Sequence, residues 1–347
     1  MLLINSENLV SRYLTNYNIW CDYQNFYHNK IRIRAQQDIA GIPCFLAQDI
    51  ESINASTHSM IAIDCLTEGL HYRNFFEQYR PGPQYLIFSN GWWDQTKIKL
   101  PIEYELVYHN FFLCEMADAY FSPNRFCFYI NKSYQFEATK PCVFISTIGN
   151  VRPQRDYLID QLLKNLNYKN FIVRYSGQNL GIEYLHDVVS IDSGNFDPYT
   201  VIFDQYYHNI SQSLPTDMYN KGHFNLVVES DLDGAHEFFL TEKTIKSLIT
   251  GMPFVVVSTP YFLQHLRELG FHTYNQLWDE SYDKIENFSL RVEKIVQLCN
   301  DLEKFNWQSN LKQLEEIALK NTHNFFNLNR HVEKNFIQFE NILKKII

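Results

Sequence analysis

Short apolar runs, rich in β-branched and aromatic side chains, alternate along the chain with longer stretches of helical periodicity. The runs at Met60–Asp64, Tyr85–Ser89, Tyr104–Tyr108, Phe126–Ile130, Val143–Ser146, Phe171–Tyr175, Asn225–Val228 and Phe254–Ser258 predict strands. Most are continuous rather than alternating in polarity. A strand buried on both faces requires that pattern, as in a parallel sheet covered by helices. Strand and helix in alternation give an α/β architecture, expected here as two Rossmann-like domains. Beyond about Asp283 the segment SLRVEKIVQLCNDLEKFNWQSNLKQLEEIAL repeats apolar residues at i, i+3, i+4, and Arg330–Ile347 is amphipathic as well, so the chain is expected to finish in packed helices. The polar, proline-containing segment Tyr134–Pro141 marks the expected boundary. The expected domains are thus 1–138, 139–325, and a helix over 326–347 packing back on the body.

Composition narrows the class. A chain of 347 residues is long enough for two cores. With 30 Lys and Arg against 39 Asp and Glu, the net charge is −9, which disfavours a general nucleic-acid phosphate surface and leaves room only for a local basic groove. Seven scattered cysteines without a CxxC pair fit reduced thiols rather than a disulfide framework or zinc site. No basic n-region with a long apolar run opens the chain, and no stretch nears the roughly 18 apolar residues of a membrane span, so a cytoplasmic protein without a transmembrane segment is expected. The 12 histidines lack HExxH or paired spacing, and no metal is expected. The 27 Phe and 23 Tyr fit compositional bias first and stacking platforms second.

The densest chemistry runs from His223 to Gly270, HFNLVVESDLDGAHEFFLTEKTIKSLITGMPFVVVSTPYFLQHLRELG. A buried strand ends at Glu229, and a polar loop with Asp231, Asp233, His236 and Glu237 follows. Thr241 is placed to cap a helix whose Ile245, Leu248 and Ile249 face inward, and Gly251 with Pro253 stops it. Ligands of open α/β sheets sit beyond the carboxyl ends of strands, beside helix N-termini. Glu229, Glu242 and Lys243 are therefore expected to converge on an anionic, hydroxyl-rich ligand. Each charge alone has a plainer reading: Glu242 with Lys246 is a common solvated pair, and Glu229 simply a strand end.

The order strand, Glu-Ser, loop, F-L-T-E-K-T-x-K-S-L, then G-M-P-F resembles the donor-binding segment of α1,3-fucosyltransferase-type enzymes. The likeness covers about 60 residues of the second half. It implies the two-Rossmann GT-B fold facing a cleft, a nucleotide-sugar donor with a GDP-sugar favoured, inversion at the sugar carbon, and no obligatory metal. On it Glu229 and Ser230 match the family's Glu-Asn, Phe239 takes an aromatic place, Thr241 precedes the helix, and Glu242–Lys243 match a Glu-Lys pair. Ser230 for Asn and Phe239 for Tyr are departures. A glycan acceptor is implied. A phage or viral transferase acting on protein or DNA bases is an alternative, and a non-catalytic homologue binding nucleotide-sugar or glycan is the rival from another class.

The segment VFISTIGNVRPQRDYLIDQLLK adds a strand, a loop with Gly149, Asn150, Arg152 and Arg155, and a helix. Cations at such a turn suit a diphosphate, with Arg155 the first choice and Arg152 the second. Asp231-Leu232-Asp233 superficially resembles the DxD metal motif of the other glycosyltransferase fold. For the general base, carboxylates or imidazoles ending first-half strands are candidates: Asp64, Asp94 and His109. Gly91-Trp92-Trp93 offers either a sugar platform or a core pair.

Overall fold

The computed structural model describes residues 37–39, 42–64, 73–89, 91–93, 99–108, 134–149, 151–175, 178–181, 200–203, 206–209, 216–232, 234, 236–327 and 341. The chain divides into two compact units, Met1–Cys114 with Asn327–Ile347, and Glu115–Phe326. The expected strand Phe126–Ile130 lies outside the described residues.

The first unit contains β1 (Gln37–Ile39), β2 (Ile42–Leu46), α1 (Ile50–Ala55), β3 (Met60–Asp64), α2 (Arg73–Phe76), β4 (Gln84–Ser89) and β5 (Glu103–Tyr108). They form one sheet in chain order, β1 antiparallel to β2 and the remaining pairs parallel. β4 is buried at every position from Tyr85 to Ser89, which explains its unbroken apolar run. β2 carries Pro43, which masks its strand signal. Trp93 joins the core beside Phe76, with ring centroids 5.9 Å apart, and so packs rather than offering a sugar platform.

The second unit contains β6 (Cys142–Ile148), α3 (Pro153–Asn165), β7 (Phe171–Tyr175), β8 (Gln178–Gly181), the hairpin β9 (Thr200–Phe203) and β10 (Tyr206–Asn209), α4 (Thr216–Tyr219), β11 (Gly222–Val228), α5 (Glu242–Thr250), β12 (Phe254–Val257), α6 (Phe262–Glu268), α7 (Phe288–Leu302) and α8 (Trp307–Phe326). Its main sheet has the order β12-β11-β6-β7-β8, parallel except for β8. From β6 the chain crosses to β7 on one side, whereas β11 and β12 lie on the other. The strand order therefore reverses between β6 and β11. A crevice at the carboxyl ends of the strands opens at such a reversal.

β11 is buried at all its positions. Its one polar amide, Asn225, donates to Ser247 Oγ at 2.9 Å and so ties α5 to the sheet. α5 buries Ile245, Leu248 and Ile249, as its periodicity requires. Gly251 ends it at φ 78°, a left-handed conformation. A β-carbon there would stand 3.2 Å from the Ala318 side chain. Gly251→Ala is expected to lower stability by about 1–2 kcal/mol in urea unfolding, since strain and crowding act together.

The segment Tyr134–Pro141 lies inside the second unit. The Tyr134 N–H donates to Thr250 O at 3.1 Å. Its buried hydroxyl is shared between the carbonyls of Gly222 and His223, both at 3.0 Å. Tyr134 thus ties this segment to β11 and to the end of α5. Among the described residues no helix is long and apolar enough to cross a membrane. Cys142 and Cys299 are buried free thiols, and burial pushes Cys142 up to about 12.

Candidate functional site

β11 runs directly into Glu229, whose backbone N–H continues the ladder by donating to Val257 O at 3.0 Å. The side chain is fully buried. It turns toward the start of α5 and accepts from four donors. Oε1 takes the Thr241 N–H at 3.4 Å, the Thr244 N–H at 3.3 Å and the Thr244 hydroxyl at 2.6 Å, while Oε2 takes the Thr241 hydroxyl. Two of these are backbone donors that an α-helix leaves without partners in its first turn. Burial pushes the Glu229 carboxyl above the usual range, against the charge of Lys243 and the two threonine bonds. Glu229 is thus a strut that fixes the helix entrance, and its backbone carbonyl accepts from the buried Arg155.

Cations gather around that strut. Lys243 Nζ donates to Glu242 Oε1 at 2.8 Å, Ser230 Oγ at 3.0 Å and Thr241 Oγ1 at 3.3 Å. From the turn after β6, Arg152 Nη1 donates to Ser230 O at 2.9 Å and Arg155 Nη2 to Glu229 O at 3.3 Å. The strand order reverses between these two strand ends. Lys246, one turn further along α5, is lowered to about 8 by burial, with Glu242 opposing and Lys243 adding to the effect. Glu242 is itself held below the usual carboxylate range, because Lys243 and Lys246 together outweigh its burial. Burial and the like charge of Arg152 both lower Arg155. Four cations, Arg152, Arg155, Lys243 and Lys246, thus stand against the carboxylates of Glu229 and Glu242 at the positive end of a helix dipole. An anion placed there relieves that repulsion.

The two arginines differ in exposure. Arg155 is 3% exposed, whereas Arg152 is open to solvent. Arg155 is packed against the end of β11, through the Glu229 carbonyl, while Arg152 reaches Ser230 from the surface. Tyr175 donates to Asp156 Oδ1 at 2.6 Å and steadies the first turn of α3.

The loop between Ser230 and Thr241 has its own brace. Asp231 Oδ2 accepts the His236 N–H at 2.7 Å and lies 2.8 Å from His236 Nδ1. The imidazole stacks on Phe239 at 4.8 Å and 19°. All three residues are buried. Phe239, expected to take an aromatic place in a donor site, is here part of that packing. Among the described residues no group of three or more His, Cys, Asp or Glu is arranged to hold a metal ion.

Of the residues singled out by sequence, Arg152, Arg155, Glu229, Ser230, Thr241, Glu242 and Lys243 meet in one continuous hydrogen-bonded network. Asp64 ends β3 in the first unit, in register with Leu46 and Phe88. Asp94, His109 and Asn150 lie outside the described residues. Three features were missed: Thr244 as a second capping hydroxyl, Lys246 as a site cation, and the Asp231–His236 brace. The spacing T-x-x-T at a helix start, twelve residues after a strand-ending Glu, is the signal that could have shown the first. No known family model matches this chain, and no curated protein does.

Proposed function

We propose that the second unit binds the diphosphate of a nucleotide-sugar, and that the protein is an inverting, metal-independent glycosyltransferase of the GT-B arrangement. One observation carries the reading: cations from the turn after β6 and from the start of α5 converge on Glu229 and Ser230, where the strand order reverses. In the proposed complex Arg152 and Lys243 bind the diphosphate. Glu242, freed from Lys243, accepts a sugar or ribose hydroxyl. As the acceptor oxygen bonds to the anomeric carbon and the bond from that carbon to the diphosphate oxygen breaks, charge develops on the leaving diphosphate. Lys246, Arg155 and the helix dipole stabilise it without reorganising. The acceptor hydroxyl is deprotonated by a first-unit base, with Asp64, Asp94 and His109 as candidates. The sequence resemblance favours a GDP-sugar donor, fucose included, and a glycan acceptor. A cytoplasmic location belongs to the same reading.

A thermal-shift panel of GDP, UDP, CMP and ADP sugars tests the proposal. A GDP-sugar at about 100 times its Kd is expected to stabilise the protein by about 2.7 kcal/mol. Stabilisation by no member of the panel would count against a nucleotide-sugar protein. The lowered Lys246 adds a pH signature. It is cationic below about 8 and neutral above, so donor affinity is expected to fall as the pH rises through that value. Isothermal titration at several pH values checks this, and Lys246→Met should bind more weakly and lose the step.

A further inference from the structure

We propose a second ligand site, separate from the carboxyl-edge crevice and suited to a monosaccharide phosphate. A pocket of about 370 Å³ lies between the end of α6, the loop after it and α8. That volume falls in the range of small-ligand sites. Phe254 opens β12, and its ring lies 5.2 Å from Tyr274, so this loop sits at the amino end of the sheet, opposite the carboxyl-edge site.

The charge of the pocket is the decisive feature. Nine residues line it, among them Arg267, His272 and Lys320, and none is Asp or Glu. Cations in a concave lining favour an anionic ligand. Arg267 is held in place from behind, donating to Thr273 Oγ1 at 2.8 Å and Glu280 Oε2 at 3.0 Å. Glu280 thus partly offsets Arg267 while lying outside the lining. Lys320 forms no ion pair among the described residues. Burial and then Lys320 lower His272, which lines the same pocket.

The walls are preorganised. Asn321 clamps the His272 backbone on both sides, accepting its N–H at 2.7 Å and donating to its carbonyl at 2.9 Å. The amides of Asn275 and Gln276 supply groups for sugar hydroxyls, and Phe271 a small apolar surface. Arg267 and Lys320 would take the phosphate, and the amides the ring.

Isothermal titration of the full chain with glucose 6-phosphate, glucose and inorganic phosphate tests this. The sugar phosphate is expected to bind, glucose not to bind, and phosphate alone to bind more weakly. Lys320 is exposed, so Lys320→Glu leaves the core intact, and it should weaken sugar-phosphate binding at least about ten-fold. Lys243→Ala should leave that binding unchanged. The proposal is overturned by absence of binding up to about 10 mM, by equal binding in Lys320→Glu, or by phosphate or glucose binding as tightly as the sugar phosphate. Loss of binding in Lys243→Ala would instead put the ligand in the carboxyl-edge site and also overturn it. Failure of the nucleotide-sugar panel has no bearing on this outcome.

Discussion

Alanine at Glu229 is expected to lower the unfolding free energy by about 3–5 kcal/mol, the largest effect of any single change at the site. The substitution removes the acceptor for two backbone N–H groups and two hydroxyls. The Thr241 and Thr244 hydroxyls can rotate toward other partners, but the backbone donors are fixed by the helix and stay buried. A cavity adds to the loss. Relief of the carboxylate's own desolvation works in the opposite direction, so the total falls below the sum of four bonds. Glu229→Gln keeps one carbonyl acceptor and should lose only about 1–2 kcal/mol. Urea unfolding at constant m distinguishes the two variants. A loss under about 1 kcal/mol in the alanine variant would contradict the strut.

The same carboxyl has a pH consequence. Its folded value is raised, so the native state holds the proton more firmly than the unfolded chain does. That contribution is fully present below the unfolded value of about 4.3 and is lost as the pH rises through the folded value. Glu229→Gln should flatten this part of the stability profile.

Lys243→Ala is expected to abolish nearly all donor-induced stabilisation while leaving the fold in place. Lys243 is half-buried on the first turn of α5, where its ammonium makes three hydrogen bonds that a diphosphate can replace. Losing the charge-assisted bonds to the ligand should weaken binding by about 100-fold. At a concentration that gives the native protein about 2.7 kcal/mol, the variant would keep about 0.4 kcal/mol. Arg152→Ala, at an exposed residue, should behave similarly with a smaller loss. Arg155→Ala should instead destabilise the protein without ligand, because its guanidinium is buried against the carbonyl of Glu229. Differential scanning fluorimetry with and without donor separates these cases. A normal donor shift in Lys243→Ala would remove Lys243 from the site.

Much of the frame was legible along the chain. Met60–Asp64 and Phe171–Tyr175 match their strands end to end, because the buried stretches Ile61–Ile63 and Phe171–Val173 leave short apolar runs. Thr241 and Gly251 marked both ends of α5, since a hydroxyl cap and a left-handed stop are local requirements of helix termini. β1, β2 and the hairpin β9–β10 were not legible, being short or, in β2, interrupted by Pro43. Their pairing depends on distant partners rather than on their own periodicity.

At Glu229, Glu242 and Lys243 the sequence by itself determined a strand end, a capped helix start and a concentration of charge, because these depend on residues close together in the chain. Only the tertiary structure decided what each charge does. It buried Glu229 against two threonines, hid Arg155 and exposed Arg152, drew Lys246 into the cluster, and brought residues 74 and 78 positions apart into hydrogen-bonding distance. Those outcomes follow from strand order, since β6 and β11 are neighbours in the sheet although far apart in sequence. Burial then separates two similar cations, a property that no local pattern of residues contains.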